Sequence, residues 1–140
     1  MALDLLIRGG AVVDGSGGAR FTADIGVAGG KIVEIGRIKA VAARTLDADG
    51  LIVSPGFIDG HTHMDAQVAW DPLGSCSCWH GVTSVVMSNC GFALAPCKPE
   101  DRDWYARCLS AVEDIPTAAM AAGIDWTWET FPEYLATVER

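Results

Sequence analysis

Basic residues are scarce in this chain: 10 Lys and Arg stand against 18 Asp and Glu, for a net charge of −8. No stripe of Lys or Arg runs along it, so the electrostatic footprint of direct DNA or RNA binding is missing. Nowhere do about 18 apolar residues follow one another, which is the length a membrane-spanning helix needs. The opening MALDLLIRGG breaks its short apolar stretch with Asp4 and Arg8, unlike an export signal. Without such a signal the five cysteines, an odd number, read as reduced thiols or metal ligands rather than a disulfide set, and a cytoplasmic location is expected. Histidine is rare as well. Of three in the chain, two fall within one tripeptide.

What is present fits a globular protein. Half of the 140 residues are hydrophobic and a fifth are charged, enough apolar material for one core. Sixteen glycines point to many tight turns, which suit strands better than long helices. Residues 1–55 read as β: Leu3–Arg8 ends at Gly9-Gly10, and Ala11–Val13 ends at Asp14-Gly15-Ser16-Gly17-Gly18. Asp24–Val27 and Lys31–Ile35 flank Ala28-Gly29-Gly30, a hairpin signal, with Lys31–Ile35 expected to be half-buried. Leu51–Val53 is a further short strand, and together these runs predict a small sandwich-like sheet. No helix and no P-loop lysine follow Gly15–Gly18, which excludes phosphate binding there.

From Ser54-Pro55-Gly56 the character changes. Phe57–His63 is an apolar strand running into polar residues, Val82–Met87 a second buried strand, and Asp71–Ser75 a polar loop between them. Asp101–Val112 is the strongest helix, with Trp104, Cys108, Leu109 and Val112 at spacings of three and four. A short helix over Thr117–Ala122 stops at Gly123. The tail from Trp128 reads as helical, with Thr130 as N-cap and Phe131, Leu135 and Val138 on one face. The pattern over residues 56–140 is that of an opening α/β barrel or open sheet.

His61-Thr62-His63 carries the strongest chemical signal. On a strand, residues two apart point the same way, so both imidazoles can reach one ion. They end an apolar strand, the place where barrel enzymes set their sites. Asp59 and Asp65 continue the alternation and are expected to orient the ring nitrogens. The alternative is a pair of surface histidines in a loop. Cys90, in an Asn-Cys-Gly turn after the next strand, emerges at the same rim, either as a thiolate ligand or as an inert buried cysteine. Cys76-Ser77-Cys78 lacks the spacing of a closed zinc site and reads as packing, as do Cys97 and Cys108. His80 lines the site or serves a cap. The five tryptophans (70, 79, 104, 126 and 128) read as core or subunit contacts.

These segments resemble the start of an amidohydrolase-superfamily enzyme, through DLLIRGG (Asp4–Gly10), Val13-Asp14-Gly15, Gly29-Gly30-Lys31-Ile32 and VSPGFIDGHTH (Val53–His63). HTHMDAQVAWDP (His61–Pro72), WHGVTSVVMSNC (Trp79–Cys90), VEDIP (Val112–Pro116) and WTWETFPEYL (Trp126–Leu135) narrow the resemblance to the N-acyl-D-amino-acid deacylases, or D-aminoacylases. The resemblance implies an α/β fold: residues 1–55 as the N-terminal part of a small β-sandwich, residues 56–140 as the first βα units of a (β/α)8 TIM-like barrel. It implies His61, His63 and Cys90 as ligands to one or two Zn2+ ions, and hydrolysis of an N-acyl-D-amino acid, a small-molecule substrate. Met64 stands where an aromatic residue or serine is commoner, and Ser88 where glycine is usual.

The family's general-base aspartate and its remaining ligands belong to later strands, and a full barrel takes at least about 200 residues. The 140-residue chain is therefore expected to be an N-terminal portion, inactive alone. Association with the missing C-terminal part, or with further copies of itself, is expected to cover its open strands. Two other readings compete: a cyclic-amide hydrolase of the dihydroorotase or hydantoinase kind, and a non-catalytic scaffold that has lost its metal.

Overall fold

The computed structural model describes residues 2–140 and divides into two compact units, Met1–Pro55 and Gly56–Arg140. The first unit holds strands β1 (Leu3–Val12), β2 (Phe21–Ala28), β3 (Lys31–Gly36), β4 (Ala42–Asp47) and β5 (Ile52–Val53). They form one five-stranded sheet in the order β3-β2-β1-β4, with β5 extending the β4 side of β1. The β1–β2 and β2–β3 pairs are antiparallel, whereas β4 and β5 run parallel to β1.

The expected break at Gly9-Gly10 is instead a bulge within one continuous strand. The register of β1 against β2 shifts between Ile7 and Gly10, and Gly9 adopts φ +73°, a left-handed conformation that favours glycine. At Gly10 a Cβ would lie 2.4 Å from Cγ2 of Val53, so the backbones of β1 and β5 approach only because no side chain intervenes. Asp24 secures the bulge: its carboxylate accepts from the backbone N–H of Gly9 (2.9 Å) and of Ile38 (3.0 Å). Those two donors hold the Asp24 carboxyl below its ordinary pKa.

Leu3, Leu6 and Ile38 form one small core of this unit, and Val12, Ala23 and Ile25 another. The half-buried strand expected over Lys31–Ile35 is exposed along nearly its whole length, including Ile32, Val33 and Ile35. It is an edge strand, hydrogen-bonded to β2 on one side only.

The second unit begins with β6 (Phe57–Thr62) and β7 (Val82–Met87), a parallel pair. The polar loop expected over Asp71–Ser75 lies between a 3-10 turn at Gln67–Ala69 and the short helix α1 (Ser75–Cys78), which takes up its last residue. Helices α2 (Arg102–Glu113), α3 (Thr117–Gly123) and α4 (Phe131–Val138) follow. The fold is mixed α/β. Its main core gathers Ala66, Leu94, Leu109, Met120, Ile124, Trp128 and Tyr134, drawn from the loops after both strands and from all three of these helices.

Three polar contacts lock this core. Trp128 Nε1 donates to the Leu94 carbonyl (2.7 Å), the Tyr134 hydroxyl to the Asp65 carbonyl (3.0 Å), and the Arg102 guanidinium to the Trp128 carbonyl (3.1 Å). Burial, then the nearby Asp65 charge, pushes the Tyr134 hydroxyl pKa well up, so it remains a donor. Thr130 begins α4 as expected, with the Glu133 carboxylate accepting from the Thr130 N–H (2.9 Å) and hydroxyl (2.9 Å).

The apolar faces run differently from the helical periodicities. In α4 Tyr134 is the buried residue, while Phe131, Leu135 and Val138 form an exposed stripe. In α2 only Leu109 is fully buried; Cys108 is half-buried, and Trp104 and Val112 are exposed. The strands expected to be buried are also open. Phe57 is 63% and Ile58 73% exposed, because no further strand among the described residues pairs with β6 or β7. Of the tryptophans, Trp128 is core and Trp126 packs against it, but Trp70, Trp79 and Trp104 face outward.

Candidate metal-binding site

Parallel pairing fixes where the candidate residues emerge. Because Thr62 pairs with Met87 at the ends of β6 and β7, His63 and Cys90 leave the sheet at the same edge. Side-chain bonds across the pair hold that edge closed: Thr62 Oγ1 donates to the Val86 carbonyl (3.1 Å), and Asn89 Nδ2 to the Gly60 carbonyl (2.7 Å). The donor atoms of His61, His63 and Cys90 all lie within 4.8 Å of one another. Cys90 Sγ stands 3.6 Å from His63 Nδ1, and the two imidazole rings are stacked with centroids 5.4 Å apart. His61 is exposed, whereas His63 and Cys90 are half-buried.

The loop carrying Cys90 is held from below. Ser88 has φ +64°, a left-handed conformation costly for a residue with a side chain, and it sits two positions before Cys90. Its hydroxyl donates at 2.5 Å to Asp65 Oδ1. Asp65 is only 3% exposed, and among the described residues its Oδ2 has no hydrogen-bond partner. The Ser88–Asp65 bond thus ties the loop after β7 to the loop after β6, and the Tyr134 hydroxyl ties the latter to α4.

Neither aspartate expected to orient the imidazoles does so. Asp59 accepts from the backbone N–H of His61 (3.1 Å), and Asp65 is occupied by Ser88. The carboxylate that touches an imidazole comes from the last residue of α2: Glu113 Oε1 contacts His63 Nδ1. Sequence reasoning missed it as a site residue, although VEDIP, in which Glu113 stands, was visible as a motif.

The remaining candidates lie elsewhere. His80 is exposed and precedes Gly81, whose carbonyl accepts from Phe57 N–H at the start of β6, the opposite end of the pair from His61. Cys76 and Cys78, expected to pack, are exposed on α1. Cys97 is buried as expected, and burial pushes its thiol pKa up. Met64 is also buried and accepts a long contact from Ser77 Oγ (3.8 Å), so it packs toward α1 rather than lining the histidine cluster.

Residues 44–140 match the model of the amidohydrolase family, and the chain belongs to that family. Within it, the relatives place the chain with the N-terminal portion of the D-aminoacylase group. It is 50% identical to an N-acyl-D-glutamate deacylase of Alcaligenes xylosoxydans xylosoxydans over 95 residues, which are 67% of this chain and 20% of the relative. It is 38% identical to the D-aminoacylase of the same organism over 133 residues, 94% of this chain and 25% of the relative. Among solved structures it is similar to the N-acyl-D-glutamate deacylase of Bordetella bronchiseptica, complexed with zinc and a phosphonate mimic of the tetrahedral intermediate. There the TM-score is 0.77 at 33% identity, covering 99% of this chain and 27% of that one. The chain thus spans a quarter or less of the curated relatives it matches.

Proposed function

We propose that this chain supplies the first metal ligands of a zinc-dependent deacylase that hydrolyses the amide bond of N-acyl-D-amino acids, releasing a carboxylate and a free D-amino acid. The observation that carries the reading is the convergence of His61, His63 and Cys90 within 4.8 Å at one end of a parallel strand pair. Two imidazoles and a thiolate are a donor set that zinc takes readily. Donor atoms bonded to one tetrahedral zinc stand roughly 3.3–3.8 Å apart, from bonds of about 2.0–2.3 Å, so side-chain rotations of about 1 Å close the observed spread. The residues therefore fit the group.

In this reading residues 1–55 are the N-terminal part of a small β-sandwich, and residues 56–140 are the first βα units of a (β/α)8 barrel. Zinc, when bound, lowers the pKa of a bound water and polarises the acyl carbonyl. The protein's own part is to hold three donors at the strand ends. Thr62 and Asn89 fix the strand edge, and the Ser88–Asp65 bond sets the loop that presents Cys90.

Metal analysis after zinc reconstitution tests the ligands. One or two zinc ions per chain are expected, with loss of zinc in His61→Ala, His63→Ala and Cys90→Ala variants that remain folded. The activity is tested by following free amine from N-acetyl-D-glutamate with the protein that carries this segment. Turnover of the D but not the L substrate is expected. A folded protein that takes up no zinc overturns the reading in favour of a non-catalytic scaffold. Preference for a hydantoin over the acyl-D-amino acid overturns the substrate.

A further inference from the structure

The contact between Glu113 and His63 joins the end of α2 to the strand-end cluster, and nothing in the proposed ligand set uses it. Both side chains are largely shielded, with exposures of 25% for His63 and 19% for Glu113. Among the described residues, Glu113 Oε1 has no hydrogen-bonding group other than the His63 ring to satisfy it. A shielded carboxylate oxygen without a partner is costly, so the ring N–H it faces matters to both residues. Glu113 is not one of the three residues whose donor atoms all stand within 4.8 Å of one another, and it meets that group at His63. The backbone fixes its approach: Asp114, directly after Glu113, adopts φ +55° and ends α2 at that point.

We propose that Glu113 is a positioning residue: its carboxylate, rather than the Cys90 thiol 3.6 Å from the same nitrogen, accepts the Nδ1–H of His63, which fixes the ring's tautomer and leaves Nε2 as the nitrogen free to take a metal. This rests on the metal-binding reading of His63 given above. A ligand histidine whose other nitrogen is held by a carboxylate is oriented and made more basic, and loss of such a partner typically costs 10–100-fold in metal affinity.

Two measurements on the chain test it. Nitrogen-15 NMR of the imidazoles, recorded without metal, reads the tautomer directly. His63 is expected to carry its proton on Nδ1, to keep it there in Glu113→Gln, which retains an acceptor, and to shift toward Nε2–H in Glu113→Ala. An Nε2–H tautomer in the unaltered chain overturns the proposal. Cobalt titration, read by the thiolate-to-cobalt charge-transfer band of Cys90, is expected to show binding about 10–100-fold weaker in Glu113→Ala, with Glu113→Gln in between. Unchanged cobalt affinity in a folded Glu113→Ala chain also overturns it. If the unaltered chain binds no cobalt, the metal reading fails, while the tautomer still decides whether Glu113 holds His63. Should the alanine variant not fold, the glutamine variant decides: cobalt affinity equal to that of the unaltered chain then counts against the proposal.

Discussion

Replacing Ser88 separates two opposing contributions at the loop that presents Cys90. The residue sits at φ +64°, where a side chain costs about 1–2 kcal/mol relative to ordinary backbone conformations. Against that stands its 2.5 Å hydrogen bond to Asp65, whose carboxylate is shielded and whose second oxygen has no partner. A hydrogen bond to a charged group contributes about 1.5–3 kcal/mol. Ser88→Ala keeps the strain and loses the bond, so it should destabilise the second unit by about 2 kcal/mol. Ser88→Gly loses the same bond but relieves the strain, less about 0.5–1 kcal/mol for the greater freedom of glycine in the unfolded chain. The glycine variant should therefore be the more stable of the two by about 0.5–1 kcal/mol.

All five tryptophans lie in this unit, so urea unfolding followed by tryptophan fluorescence reports it selectively. If alanine and glycine unfold at the same urea concentration, the backbone argument fails. If alanine matches serine, the hydrogen bond contributes nothing.

At the bulge in β1, Asp24 has its pKa lowered by the Gly9 and Ile38 amides, so its stabilisation is full above the ordinary aspartate range and lost as pH falls through the lowered folded value. Hydrogen-exchange protection at Gly9 and Ile38 should be higher in the unaltered chain than in Asp24→Asn at neutral pH and converge with it in acid; a gap independent of pH would sink the idea. Thiol alkylation of the native chain should modify the exposed Cys76 and Cys78 quickly and leave Cys97, buried and with a raised pKa, until denaturant is added. Rapid native labelling of Cys97, read by peptide mass spectrometry, would contradict its burial. With Phe57, Ile58, Leu73 and Trp79 outward, Trp79 at 85%, the chain alone should self-associate at micromolar concentration. Light scattering showing a monodisperse monomer would refute this.

The sequence made some of this readable and hid the rest for physical reasons. Alternation and the glycine pair announced the β2–β3 hairpin, and the His-x-His at the end of one apolar strand with Cys90 in the turn after the next announced their convergence, because neighbouring parallel strands end at the same rim. Strand β4 was missed: Ala42–Asp47 carries one β-branched residue, Thr45, and forms through its pairing with β1 rather than through propensity. Apolar periodicity in α2 and α4 marked both helices and found the buried Leu109, but otherwise named mostly exposed residues, since hydrophobicity records that a face seeks cover, not which neighbour is there. Glu113 could not be picked out because its relation to His63 spans 50 positions and depends on where α2 ends.

The bond from Tyr134 to the Asp65 carbonyl joins positions 69 residues apart. During synthesis at about 5–20 residues per second, the histidine segment precedes the tyrosine that braces it by roughly 3–14 s. Through that interval the two imidazoles, joined about a third of the way through by the Cys90 thiol, are presented without their support, open to any metal ion or oxidant present. Fidelity of the cluster is thus partly a matter of timing: what occupies these donors first is decided before α4 exists to shape them.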